Sequence, residues 1–206
     1  RVDQIRREVM DRLGEQDAKY IYKIRNFVRY SEIASRGMLM FGGWIPPVWV
    51  IGTGLLGISK IVENMELGHN VMHGQFDWLN DPSLNGANYD WDTMSSGDDW
   101  KYTHNYIHHT YTNIVGKDHD VGYGLLRVSE SQKWEPRFLF NIPLAIQLMV
   151  FFEWYVGVQN LHLEDALIYK TKTWKQVWAD AAKFRKKVRR QVLKDYVFFP
   201  VIAGPN

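Results

Sequence analysis

The sequence contains no cysteine, and that one absence removes disulfides, thiolate zinc sites, iron–sulfur clusters and cysteine nucleophiles together. Any metal must then be held by His, Asp or Glu, which makes the 7 histidines the residues to explain. Net charge is scarce too. The 25 Lys and Arg against 23 Asp and Glu leave +2, and no basic stretch interleaves with aromatics as a nucleic-acid surface would, so no nucleic-acid partner is expected. No cationic start followed by a short apolar run precedes the first hydrophobic block, as a signal peptide requires. Charge is missing altogether from Gly37 to Ser59, long enough for one crossing of a hydrocarbon core at about 20 residues. There is no internal repeat and no low-complexity tract.

What is present falls in blocks. Hydrophobic residues make up 46% and aromatics 15%, including 9 Trp, yet the mean hydropathy of −0.33 requires a large water-facing part beside any membrane part. At 206 residues the chain forms one domain or two small ones. Residues 1–36 carry nine Lys and Arg, with Ile5, Val9, Leu13 and then Ile21, Ile24 and Val28 at helical spacing, a basic amphipathic lead-in. Residues 37–73 are predicted to end a membrane hairpin, with helices near 27–45 and 48–73 turning at Pro46-Pro47. This is preferred to a single crossing because it keeps the basic arm and the histidines on the cytoplasmic face; Glu32 and Arg36 must then snorkel to the interface. Residues 74–137 read as a cytoplasmic cap that opens with a polar loop over 74–103. The block 138–161 has Glu153 as its only charge, and Lys170–Lys194 holds ten Lys and Arg against the single acid Asp180. A crossing at 138–161 would put that basic run outside, so the block is expected to lie in or dip into the interface, with a plain spanning helix as its rival. Residues 162–195 read as a basic cytoplasmic segment and 196–206 as the start of another span. Both ends read as cut. The expectation is an all-α protein, membrane helices with a cytoplasmic helical cap, of which 1–206 is a fragment of a single domain.

The sharpest feature is the pair of clusters His69-Asn-Val-Met-His73 and His104-Asn-Tyr-Ile-His108-His109. On an α-helix, positions i and i+4 share a face, so His69 with His73, and His104 with His108, can each aim two imidazoles at one point. His109 is expected to point about 100° away around the helix, at 3.6 residues per turn, and so to serve a second metal. A lone H-x-x-x-H is usually only structural; two clusters with an adjacent pair suit a two-metal centre. The H-E-x-x-H pattern of zinc proteases is not there. Glu66 makes one Glu-x-x-His step with His69, but the soluble carboxylate-bridged di-iron bundles need two. Imidazole-rich coordination suits iron, copper or zinc, and placement beside a bilayer favours iron used for oxygen chemistry on lipid. Glu63, Glu66 and Asn113 are the candidates to accept the second ring N–H of a metal-bound histidine. His119 and His162 are weaker ligand candidates. The spread of Trp and Tyr through 44–111 reads as an interfacial aromatic belt before it reads as an acyl tunnel.

The stretches Glu63-Asn-Met-Glu-Leu-Gly-His69-Asn-Val-Met-His73-Gly-Gln and His104-Asn-Tyr-Ile-His108-His109-Thr-Tyr-Thr-Asn113-Ile-Val-Gly-Lys-Asp118-His119-Asp120-Val-Gly-Tyr closely resemble the first two histidine boxes of membrane fatty acid desaturases, of bacterial and mycobacterial type. The resemblance covers most of residues 40–206. It implies two iron ions, held in part by His69, His73, His104, His108 and His109, that use O2 and two electrons to place a double bond in an acyl chain. It also implies a third histidine box beyond residue 206, so these residues alone are expected to be inactive. The partners implied are an acyl substrate carried by coenzyme A, by a carrier protein or in a lipid, membrane lipid, and an electron donor of ferredoxin, rubredoxin or cytochrome b5 type with its reductase. The implied location is the bacterial inner membrane, with the iron facing the cytoplasm. Two alternatives stay open: a hydroxylase or ketolase of the same histidine-box superfamily acting on lipids, alkanes or carotenoids, and a non-catalytic membrane protein that binds metal.

Overall fold

The computed structural model describes residues 1–118, 120–159, 161–167 and 170–203, apart from the side chains of Glu164 and Asp165. It is helical, with no strand among the described residues. Two compact units result: Arg1–Tyr89 together with the segment from Phe199, and Asp90–Phe198.

The first unit begins with α1 (Val2–Arg12), which buries none of its residues, and continues into the long helix α2 (Glu15–Gly42). Asp17 caps α2 by accepting the Gly14 N–H at 3.0 Å. A turn at Gly43–Ile45 leads into α3 (Pro46–Ile61). The proline pair occupies its first two positions, where a missing N–H costs nothing and the fixed φ favours the helix. A helical hairpin therefore turns just before the prolines, and its first arm starts at Glu15, well ahead of the residue 27 that the sequence indicated.

The arms run antiparallel in a register fixed by small residues. A Cβ on Gly42 would lie 2.8 Å from Val48 Cγ1, and one on Gly52 would lie 3.2 Å from Leu39. Further down, the buried Ser59 hydroxyl donates to the Val28 carbonyl at 2.9 Å, a bond with a net contribution of about 1 kcal/mol. Ser31 and Ser35 are buried in the same seam. Beside it Glu32 is paired with Arg36 at 2.8 Å and Lys60 at 3.1 Å, and Lys60 reaches Glu63 at 2.8 Å. Apolar side chains face outward instead: Phe41 is 76% exposed and Trp44 73%. Small and polar inside with large and apolar outside inverts the pattern of a water-soluble helix pair.

α3 does not stop at Ile61. It widens into a π-helical segment, Val62–Gly68, and tightens again as α4 (His69–Met72), with His73 as its last cap. The turn that carries both histidines is held from behind. Val71 is fully buried, with Ile21, Leu67 and Leu84 around it, burial that stabilises by about 1.5–3 kcal/mol for such a side chain. Gly86 seals the packing: a Cβ there would sit 2.7 Å from the Val71 carbonyl oxygen. The last helix, α11 (Phe199–Ala203), packs in this unit, with the Arg36 guanidinium 3.3 Å from the centre of the Phe199 ring.

In the second unit, α5 (Gly97–Trp100), a π-helical segment Lys101–His108 and α6 (His109–Tyr111) form one continuous helix. Its start lies inside the region expected to be loop, because Ser96 makes a cap: its hydroxyl oxygen accepts the Asp99 N–H at 3.2 Å. The apolar block 138–161 is not one helix. It forms α7 (Asn141–Val150) and α8 (Phe152–Gln159), with a bend of 91° at Phe151. Among the described residues no single helix is long and apolar enough to cross a membrane; this bent pair passes by length and composition only when taken together. Two contacts hold α8 inward. Glu153 accepts the Met94 N–H at 2.9 Å, and Gly157 lies so close to Phe184 that a Cβ would be 2.6 Å from that ring. After α9 (Leu163–Leu167) comes α10 (Trp174–Val192), started by Thr173, whose N–H donates to Gln176 Oε1 at 2.8 Å. A third π-helical segment, Leu193–Phe198, follows. Lys187, Gln191 and Lys194 fasten α10 and this segment to residues 90–92.

Candidate metal centre

Each histidine cluster sits at the end of a π-helical segment, where the backbone bonds from i to i+5 rather than i+4. In the first unit the His69 N–H reaches the Asn64 carbonyl. The next turn is α-helical, with the His73 N–H donating to the His69 carbonyl at 3.1 Å. The two rings meet edge-on at 4.6 Å between centroids, and His69 Nε2 lies 3.1 Å from His73 Nε2. Two nitrogens each about 2.1 Å from one ion and at right angles would be about 3 Å apart, so this pair already has the spacing of two ligands.

The second cluster is shaped by its π-helix more strongly. Because the turn closes after five residues, both His108 and His109 come back over His104. The His109 N–H bonds to the His104 carbonyl. His104 and His108 stack at 4.9 Å with rings 14° from parallel. His109 meets His104 at 5.1 Å and His108 at 5.4 Å, nearly perpendicular to both. The wider turn brings the His109 ring against both others, while His109 is not among the residues whose ligand atoms converge with those of His104 and His108.

The carboxylates behind this cluster come from a loop, not from the helix. His108 Nδ1 lies 3.0 Å from Asp118 Oδ2, and His104 Nδ1 lies 3.2 Å from Asp120 Oδ2. An Nδ1–H donated to a carboxylate leaves the ring's lone pair on Nε2, the arrangement that orients a histidine toward a metal. Asp118 has a side chain with no exposure at all. Burial alone would raise its carboxyl pKa, but the Asn113 N–H, His108 and the Asp120 N–H outweigh it and hold the group below the usual carboxylate range. The Asn113 N–H donates to it at 2.7 Å, which the chain achieves by placing Asn113 at a φ of 62° and Gly116 at 82°, left-handed turns that Asn and Gly accept most readily. The nearby Tyr123 hydroxyl is pushed up to about 12, first by burial and then by the charges of Asp120 and Asp118, so it stays a neutral phenol. One ligand atom from each of His104, His108 and Asp120 falls within 4.8 Å of the others.

The other sequence candidates stand as follows. Glu63 is engaged with Lys60. Glu66 is exposed, and its backbone carbonyl receives the Asn70 amide at 2.8 Å. Asn113 acts through its backbone on Asp118. His162 meets Tyr102 edge-on at 6.4 Å and is not among the residues whose ligand atoms converge. His119 lies outside the described residues. Asp118 and Asp120 back the histidines from a loop 10 and 16 residues downstream of His108 and His104, where helical spacing carries no signal; their mark in the sequence is the Asp-x-Asp pair just beyond the Asn113 to Gly116 turn.

Imidazoles with converging or carboxylate-oriented nitrogens fit a first-row metal such as iron, zinc or copper, and nothing in either cluster opposes iron. The family model for fatty acid desaturase matches residues 42–205. The chain is 44% identical over 204 residues, 98% of its own length, to an NADPH-dependent stearoyl-CoA 9-desaturase of Mycobacterium tuberculosis, of which it covers 47%. It is 32% identical over 129 residues, 61% of its length, to an sn-1 linoleoyl-lipid 6-desaturase of Synechocystis sp., of which it covers 35%. The chain thus spans half or less of the length of these relatives. No solved structure matches it.

Proposed function

Because the chain belongs to the fatty acid desaturase family, we propose that His69, His73, His104, His108 and His109 hold iron in an O2-dependent acyl desaturase. The observation that carries this reading is the second cluster, in which stacked imidazoles are each backed at Nδ1 by a carboxylate. Bound iron would supply the activation of O2, so that an acyl chain, O2, two electrons and two protons give the double bond and two waters. The chain's own residues supply orientation. Asp118 and Asp120 would accept hydrogen bonds from the Nδ1–H groups and keep Nε2 of His108 and His104 toward the metal, while the Asn113 N–H keeps Asp118 ionised behind His108. The stearoyl-CoA name of the mycobacterial relative supports an acyl thioester as substrate. The test uses the complete protein with stearoyl-CoA, O2 and a reducing system. Unsaturated product with two hydrogens lost is expected; a hydroxylated chain in its place would move the protein to the hydroxylase branch, and bound zinc without O2 uptake would end the oxygenase reading.

The same reading places the α2–α3 hairpin in a bilayer and both basic segments on its cytoplasmic side, supported by the outward Phe41, Trp44, Val50 and Ile51 and by the positive-inside tendency. Since residues 1–206 hold no cysteine, Tyr20→Cys and Arg185→Cys each create a single labelling site within them, any cysteine beyond them being replaced by serine. An impermeant maleimide is expected to reach both only from the cytoplasmic side. Labelling of either from outside would overturn the hairpin topology.

A further inference from the structure

One group of rings in the second unit is not explained by metal binding. Trp100 is 8% exposed and lies flat against His104, with centroids 4.4 Å apart and planes 19° from parallel. Trp91 meets Trp100 at 5.2 Å with its plane tilted by 59°; it is partly exposed and fixed by its Nε1–H, which donates to the Ser95 carbonyl at 2.9 Å. The rings make a continuous line from the surface to an imidazole: Trp91, Trp100, His104. At the outer end, Lys187 of α10 donates to the Trp91 carbonyl at 2.8 Å. One turn away on either side of Lys187, at i−4 and i+3, stand the exposed cations Lys183 and Arg190. The only acid on α10, Asp180, is already paired with Lys172 at 2.9 Å.

We propose that the ring series Trp91–Trp100–His104 is the route by which electrons reach the iron, and that the cationic face beside it docks an acidic one-electron carrier protein. The proposal rests on the reading of His104 as an iron ligand. Electron tunnelling weakens steeply across each gap between bonded groups, and packed rings keep the gaps small over a distance that saturated side chains would bridge poorly. In each transfer the reduced carrier loses one electron and a ferric ion becomes ferrous, with no bond made or broken at the tryptophans; two such transfers serve one turnover. The positive face would steer and orient an acidic carrier, which makes the encounter sensitive to salt.

A ruthenium photoreductant attached to Lys183→Cys, the sole thiol within residues 1–206, with any cysteine beyond them replaced by serine, injects electrons at the outer end of the ring series. In the complete, iron-loaded protein, Trp91→Leu and Trp100→Leu are expected to slow flash reduction of the ferric centre by at least about tenfold, or about 1.4 kcal/mol on the barrier. Trp100→Phe, which keeps a ring, is expected to restore much of the rate. Iron content and reduction by dithionite, which diffuses to the metal by itself, are expected to stay at the parental level. A Trp91→Leu protein with full iron and the parental flash rate would overturn the route. If Trp100→Leu lost iron, its ring would be packing for His104, and the more exposed Trp91 would decide the matter. A parent protein that bound no iron would instead sink the metal reading, and the route with it. For the docking face, a plant-type ferredoxin is the probe. Lys183→Glu with Arg190→Glu is expected to raise its half-saturating concentration at least about tenfold at low salt, an effect that fades once ions screen the charges over about 10 Å; an unchanged value would remove the carrier from this face.

Discussion

His108→Ala is expected to abolish tightly bound iron and desaturation together in the complete protein, and to leave it folded. The imidazole removed is the one that stacks on His104 and receives the most elaborate support, with Asp118 behind it at 3.0 Å. Its loss strands a carboxylate with no solvent exposure, but that carboxylate keeps the backbone N–H groups of Asn113 and Asp120. The structural cost is therefore about 1–3 kcal/mol, in the range for a buried acceptor that loses one partner, and a family-sized protein tolerates it. His104→Ala, His73→Ala, His69→Ala and His109→Ala are expected to behave alike. His162→Ala, beside Tyr102, is the control that should retain iron and turnover. Iron is read by metal analysis after gel filtration, folding by circular dichroism. Full iron and activity in His108→Ala would end the metal-centre argument.

The second large effect is expected at a residue that need never touch the metal. Asp118→Asn keeps the size and the acceptor for the Asn113 N–H, but it replaces the carboxylate facing His108 Nδ1 with a neutral amide. The ring then loses the charge that fixes its tautomer and strengthens Nε2 as a donor. Substitutions behind metal-bound histidines lower metal affinity by about 10- to 100-fold, and that is the drop expected, measured by competition with a chelator of known affinity. Asp98→Asn, whose carboxyl is 92% exposed, should change nothing. Parental affinity in Asp118→Asn would mean that Asp120, 3.4 Å from the same Nδ1, and the stacking on His104 suffice to orient His108.

The helical class, the hairpin at Pro46-Pro47 and the two histidine clusters were all legible, because each depends on residues near one another in sequence. The proline pair can only begin a helix, and four-residue spacing brings His69 to His73 in any helix. What escaped was of longer range or finer geometry. Asp118 and Asp120 reach back 10 and 16 residues to His108 and His104, over a turn whose left-handed residues no periodicity reveals. The break at Phe151 is equally silent in an apolar block; only Glu153 hinted at it, since a lone acid there must find a donor, and the bend delivers it to the Met94 N–H. The π-helical segments leave no composition signal at all, so the approach of the His109 ring to His104 at 5.1 Å is not readable from spacing.

Those segments carry one more implication. A π-helical stretch is an α-helix that has accommodated one additional residue, so Lys101–His108 stores its information in length as well as in letters. Removing Asn105, Tyr106 or Ile107 would restore an ordinary helix with every histidine intact, yet change the register of His104 against His108 and His109. Engineering of this protein, and any threading of its sequence onto a template, must therefore treat an indel before His109 as a change of the metal cluster itself, even where no ligand is altered.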